Sequence, residues 1–221
     1  PKIRAYTQTL LRKARNAGAI LFYDINFRKS HVGDLDETLE NILENCRLSD
    51  FVRGSNEDFG YLFGTTDPVT VYEKHISALC PNFICTCGAE PVHIFTPGMH
   101  LTFPVEDIET VSTIGAGDNF NAGFIYALLA GNIGKEAAGN LSGTQWKEIV
   151  GKAEKFSLNV CRSIYNYVDD GFEPEKYVYP ADGLVFEYND LSIRCILHFS
   201  RGKNNKITHF SRGNLAIISH F

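Results

Sequence analysis

The run from Ala19 to Tyr23 is continuously apolar and lacks the alternation of a strand that faces solvent on one side. It follows directly on Ile3 to Ala17, where Ile3, Tyr6, Leu10, Leu11 and Ala14 recur at helical spacing among basic residues and Gly18 closes the segment. An amphipathic helix leading into a strand buried on both faces is the rhythm of an α/β fold with a mostly parallel sheet. The chain keeps that rhythm. Leu35 to Leu48 is a second amphipathic helix, and Asp50 to Val52 is a short strand. Ser55 opens a helix with Glu57 and Asp58 in its first turn. Pro68 to Cys80 is a further helix with Pro68 suited to its start, and Asn82 to Cys85 is the next buried strand. Pro91 to Phe95 and His100 to Val105 read as paired strands, and Phe120 to Ala130 as a helix. Gly131 to Gly143 reads as a loop, and Thr144 to Tyr167 as a long helix through Trp146, Ile149, Val150, Ala153, Phe156, Val160 and Ile164.

A chain of 221 residues can bury the core of one sizeable domain. A formal net charge of −5 argues against general nucleic-acid binding. No stretch approaches the roughly 18 apolar residues of a membrane span. Cys46, Cys80, Cys85, Cys87, Cys161 and Cys195 are scattered among mostly apolar neighbours, as expected for reduced, buried thiols in a cytoplasmic protein. Cys85 and Cys87 share one face of a strand, which leaves a metal pair with His93 open. His93 and His100 otherwise read as strand-surface residues.

Two stretches carry chemistry. In Ser112 to Phe124, the small residues Gly115, Ala116 and Gly117 precede a helix, so backbone amides can approach an anion closely. Asp118 follows in the first turn, where the helix dipole favours a carboxylate. An anion cradle beside a base suits transfer of a phosphoryl group to a hydroxyl, which is mostly positioning and charge neutralisation. An ordinary glycine turn with an acidic first turn fits the same residues. The second stretch, Asp24-Ile25-Asn26-Phe27-Arg28, lies at the carboxyl end of the first strand, where open α/β sheets bind ligands. A turn in which Asp24 and Asn26 bond their own backbone also fits.

Thr113-Ile114-Gly115-Ala116-Gly117-Asp118-Asn119-Phe120, continued by Asn121-Ala122-Gly123-Phe124, resembles the C-terminal signature of the ribokinase-like (PfkB) carbohydrate kinases. The resemblance implies that Gly115, Ala116 and Gly117 form the anion hole for the transferring phosphate and that Asp118 is the catalytic base. Asp24, Asn26 and Arg28 resemble the fructokinase and 2-keto-3-deoxygluconate kinase branches, where they line the substrate and phosphate side. Asn-x-x-Glu, tied in the family to magnesium and phosphate, is here Ser55 and Asp58, a departure that leaves Asp58 a ligand only through water. A plain helix cap by Ser55 accounts for the same residues. Thr86 and Gly88 match part of a Thr-x-Gly-x-x-Gly nucleotide loop, but Pro91 replaces its last glycine and removes an amide donor. In relatives the late helix faces adenine, which implies Phe156, Ser157, Val160 and Cys161; packing on the sheet explains the same pattern.

The resemblance covers Ile3 to Val168, and residues 1–180 are expected to be the C-terminal part of a ribokinase-like, doubly wound domain. The glycine-pair motif, most sugar-binding groups and the β lid of such kinases are not visible. Pro1 follows no methionine, and the sequence is expected to start within a longer protein. Residues 181–221 form a basic tail outside the resemblance, with His198-Phe199-Ser200-Arg201-Gly202 recurring as His209-Phe210-Ser211-Arg212-Gly213. The implied activity is ATP- and Mg2+-dependent phosphorylation of a small sugar, with a homodimer of the parent left open. The alternatives are a nucleoside kinase and a non-catalytic nucleotide-binding or interaction fragment.

Overall fold

The structure, a computed structural model, describes residues 2–27, 35–169, 171–174 and 215–219. These residues fall into two compact units, 2–102 together with 215–219, and 103–174.

The first unit is built on strands β1 (Ile20–Asp24), β2 (Phe51–Ser55), β3 (Asn82–Cys87), β4 (Glu90–Thr96), β5 (Met99–Phe103) and β6 (Leu215–Ser219). Their order across the sheet is β5-β4-β3-β2-β1-β6. β6, β1, β2 and β3 run parallel, and β4 returns antiparallel beside β3. Burial of all five β1 residues explains why that strand reads as a continuous apolar run. Helix α1 (Lys2–Asn16) leads into β1, α2 (Leu35–Leu48) connects β1 to β2, and α3 (Asn56–Phe63) and α4 (Pro68–Val71), with a π-helical turn at Tyr72–Ile76, connect β2 to β3. Tyr23, Val52, Phe83, Cys85 and Phe95 of the sheet, with Ile25 just past β1, pack with Ile42, Phe59, Leu62, Val71 and Ile76 in one core. A smaller core joins Leu11 and Ala14 of α1 to Ala19 and Leu21.

The face of α1 differs from the periodic reading. Tyr6 is exposed, while Gln8 is buried and donates from Nε2 to Asn45 Oδ1 of α2 at 2.7 Å. A polar side chain that hydrogen-bonds a helical neighbour through its amide nitrogen can take a core position that hydrophobicity alone would not assign, although Gln8 Oε1 has no hydrogen-bond partner among the described residues.

The second unit is a helix pair, α5 (Ala116–Ala130) and α7 (Gly143–Cys161), with the short α6 (Lys135–Ala138) between them. Gly123 sets their close approach: a Cβ there would lie 2.8 Å from Ala153 Cα and 2.9 Å from Lys152 O. The loop read from Gly131 to Gly143 thus contains one helical turn. α7 ends at Cys161, short of Tyr167, and Ile164 is exposed beyond it. Arg162 caps the helix, and its amide bonds Asn159 and Val160 carbonyls instead of continuing the ladder.

Candidate active site

In the second unit, Gly115 caps α5 with φ +83°, a left-handed conformation that favours glycine. A Cβ at this position would meet Asn166 Cβ at 2.8 Å. Asn119 pins the turn: its Nδ2 donates to Gly115 O at 2.9 Å and to Asn166 O at 3.2 Å, and its amide also donates to Gly115 O. The Cys161 carbonyl receives the amides of Val111 and Ser112, tying the approach to the turn onto the end of α7. The Ala116 amide donates to Thr113 O at 3.2 Å, whereas the Gly115 and Gly117 amides make no hydrogen bond within the described residues. Those two donors and the dipole of a 15-residue helix favour negative charge at this point. Asp118 is half-buried in the first turn of that helix.

Of the residues matched to an adenine site, Val160 is wholly buried and Cys161 is 7% exposed. Phe156 and Ser157 are half-buried. The Phe156 ring meets Phe172 edge-on at 4.8 Å and lies tilted to Tyr126 at 5.6 Å.

In the first unit, the carboxyl ends of the parallel strands carry a buried polar cluster. Asp24 is the last residue of β1 and is paired in register with Arg53 of β2. Arg53 Nη1 donates to Asp24 Oδ1 at 3.2 Å, and its Nη2 donates to Thr86 Oγ1 of β3 at 2.6 Å. Asp24 is 1% and Arg53 8% exposed. Burying either charge alone would cost several kcal/mol, and their pairing offsets much of that cost. Arg53 is the site residue that pattern reading misses. Its signal is a cation inside a strand whose first four residues are all buried.

Asn26 follows with φ +40°, a conformation that Asn tolerates better than most residues. Gly88 stands at φ +66° in the exposed turn between β3 and β4. Ser55 and Asp58 form a reciprocal capping box at α3: Ser55 N and Oγ donate to Asp58 Oδ2 at 2.8 and 2.7 Å, and Asp58 N donates to Ser55 Oγ. Burial pushes the Asp58 carboxyl above its ordinary range, against the opposing pull of the Ser55 hydrogen bonds and the Arg53 charge. Arg28 lies outside the described residues.

Cys85 and Cys87 share a face, with their sulfurs 3.9 Å apart. His93 Nδ1 and His100 Nε2 are 3.1 Å apart, and both rings stack on Phe95. Among the described residues no group of three or more His, Cys, Asp or Glu side chains could hold a metal ion. No helix among them is long and apolar enough to cross a membrane.

The mostly parallel sheet with helices connecting its strands defines an α/β fold of the first unit, and comparison with known proteins narrows the class. The pfkB family carbohydrate kinase description matches residues 2–142, and the chain belongs to that family. It is 30% identical over 130 residues to a fructokinase of Rhizobium leguminosarum bv. trifolii, covering 58% of this chain and 39% of that protein. It is 28% identical over 123 residues to the aminoimidazole riboside kinase of Salmonella typhimurium, covering 55% of this chain and 38% of that protein. A solved fructokinase of Xylella fastidiosa with bound ATP superposes with a TM-score of 0.64 at 24% identity, over 73% of this chain and 52% of that one. The shared fold is that of a ribokinase-like kinase. The chain spans about half the length, or less, of these relatives.

Proposed function

We propose that the chain carries the nucleotide side and catalytic base of an ATP-dependent kinase acting on a hydroxyl of a small sugar, fructokinase-like in type. The observation that carries this reading is the α5 start, where the amides of the left-handed Gly115 and of Gly117 have no acceptor among the described residues and Asp118 follows directly on Gly117. The ATP bound by the Xylella relative and the fructokinase name of the Rhizobium relative support the choice of donor and acceptor.

In this reading Asp118 takes the proton of the acceptor hydroxyl as its oxygen bonds to the γ-phosphorus and the bond to the β-phosphate oxygen breaks. The amides of Gly115 and Gly117 hold the charge on the transferring group. The Ala116 amide would join them only by leaving Thr113 O. Thr86 and Gly88 serve the nucleotide, as do Phe156 and Ser157; Val160 and Cys161 support that helix from inside. Asn26 and Arg28 serve the substrate and phosphate side, and the buried Asp24 contributes to it through Arg53. Asp58 offers one hard oxygen donor while its Oδ2 is held by Ser55, which fits a magnesium ion met through water better than direct ligation. When bound, Mg2+ neutralises phosphate charge.

The test is ATP consumption by this chain across ketoses, hexoses and nucleosides, compared with Asp118→Asn. The expected result is turnover lowered by a factor of about 10² to 10⁴ in the variant, with ATP affinity nearly unchanged. Retained turnover in Asp118→Asn would sink the assignment of the base. A second reading, a nucleotide-binding module without turnover, is favoured by the departures from the family's motifs at Ser55, Asp58 and Pro91. ATP binding with no turnover on any acceptor would select it. A nucleoside acceptor is the enzymatic rival, supported by the likeness to the riboside kinase.

A further inference from the structure

We infer that Arg53 is a positioning residue that holds the Thr86 hydroxyl as a hydrogen-bond donor aimed at an anionic ligand, a nucleotide phosphate, at the carboxyl end of β3. This deepens the kinase reading and rests on it. A threonine hydroxyl has one proton to give and lone pairs to receive. Arg53 Nη2 donates to Thr86 Oγ1 at 2.6 Å, a short charge-assisted contact, so the hydroxyl proton must point away from the guanidinium. Asp24 holds the other arm of the guanidinium at 3.2 Å and balances its charge. The guanidinium plane is therefore set from β1 and delivers its effect at β3, across the strand between them.

Thr86 is half-buried and stands two residues before the Gly88 turn, at the strand end where ligands of α/β sheets bind, so a hydroxyl proton turned from Arg53 is available to a ligand there. Without Arg53 the hydroxyl rotor could turn its lone pairs to the ligand, and a phosphate oxygen would then meet an acceptor. Lysine would not replace it, because one ammonium nitrogen does not span two partners on either side with a planar fork.

Binding of ATP and of adenosine to the full chain, measured by calorimetry for wild type, Thr86→Val, Thr86→Ser, Arg53→Lys and the Thr86→Val/Arg53→Lys pair, tests this. Thr86→Val and Arg53→Lys should each weaken ATP by about tenfold or more while leaving adenosine within about twofold. The double variant should be no weaker than either single one, and Thr86→Ser should bind ATP like wild type. If the two losses multiply, or if ATP and adenosine weaken equally, Arg53 does not act through Thr86 and the inference falls. If Arg53→Lys fails to fold, Arg53→Gln, which is neutral and keeps an amide donor, enters the same cycle. A wild-type chain that binds adenosine but gains nothing from the phosphates overturns this inference alone. One that binds neither overturns the nucleotide reading beneath it.

Discussion

Asp24 and Arg53 are both within a tenth of full burial, so each depends on the other for compensation of its charge. Removing the carboxylate leaves a guanidinium inside the protein, and such losses run to about 3–5 kcal/mol. Asp24→Ala should therefore lower the denaturation midpoint sharply in urea, and an unchanged midpoint would show that solvent or another group takes over. Gly115 is under a different constraint, because its left-handed φ and the 2.8 Å approach of Asn166 both resist a side chain. Gly115→Ala should cost about 1–3 kcal/mol and loosen the start of α5, as read by thermal melting and amide exchange of Gly117 and Asp118. The glycine was legible because a small-residue turn before a helix has few other uses. Arg53 was not, because a short apolar run reads as ending at Val52, and nothing along the chain says that the next residue finds Asp24 and Thr86 on neighbouring strands.

At the level of elements, apolar runs and helical spacing placed the strands and the main helices to within a few residues. The exceptions have local causes. Pro68 to Cys80 reads as one helix, yet Ser77 N bonds Tyr72 O, five residues back, and side-chain periodicity barely distinguishes that turn from an α turn. The overrun of α7 arose because Ile164 keeps the spacing while Arg162 has already capped the helix. α7 also carries Glu154, whose Oε1 is buried without a hydrogen-bond partner among the described residues. Burial raises its carboxyl to about 7 from an ordinary 4.5. The native state therefore holds that proton more tightly than the unfolded chain. The stability it confers is complete below about 4.5 and is lost as pH rises through about 7. The side chain is partly exposed, so solvent screening leaves on the order of 1 kcal/mol. Glu154→Gln should flatten the fall in stability between pH 5 and pH 8, as measured by denaturant titration at each pH; an unchanged slope would place the dependence elsewhere.

For the whole molecule, the outer edge of β1 is the point at which fold and tail meet. Five residues of the basic tail, Leu215–Ser219, run parallel to β1 in the register Ile20↔Leu215 to Asp24↔Ser219. Leu215-Ala216-Ile217-Ile218 is a short apolar run of the kind that forms strands, but nothing along the chain says that it pairs beside β1. An uncovered strand edge offers a row of unpaired backbone groups to any other chain. β1 is the strand whose last residue holds Arg53, so fraying at that edge would be felt at the polar cluster. Deleting residues 215–221 should therefore produce larger species in sedimentation velocity as concentration rises, and should raise amide exchange along Ile20–Asp24. Adding a peptide that spans the deleted residues should reverse both changes if the pairing is what protects the edge. If the deleted chain sediments and exchanges like the full one, some other contact covers β1 and β6 contributes nothing to the sheet.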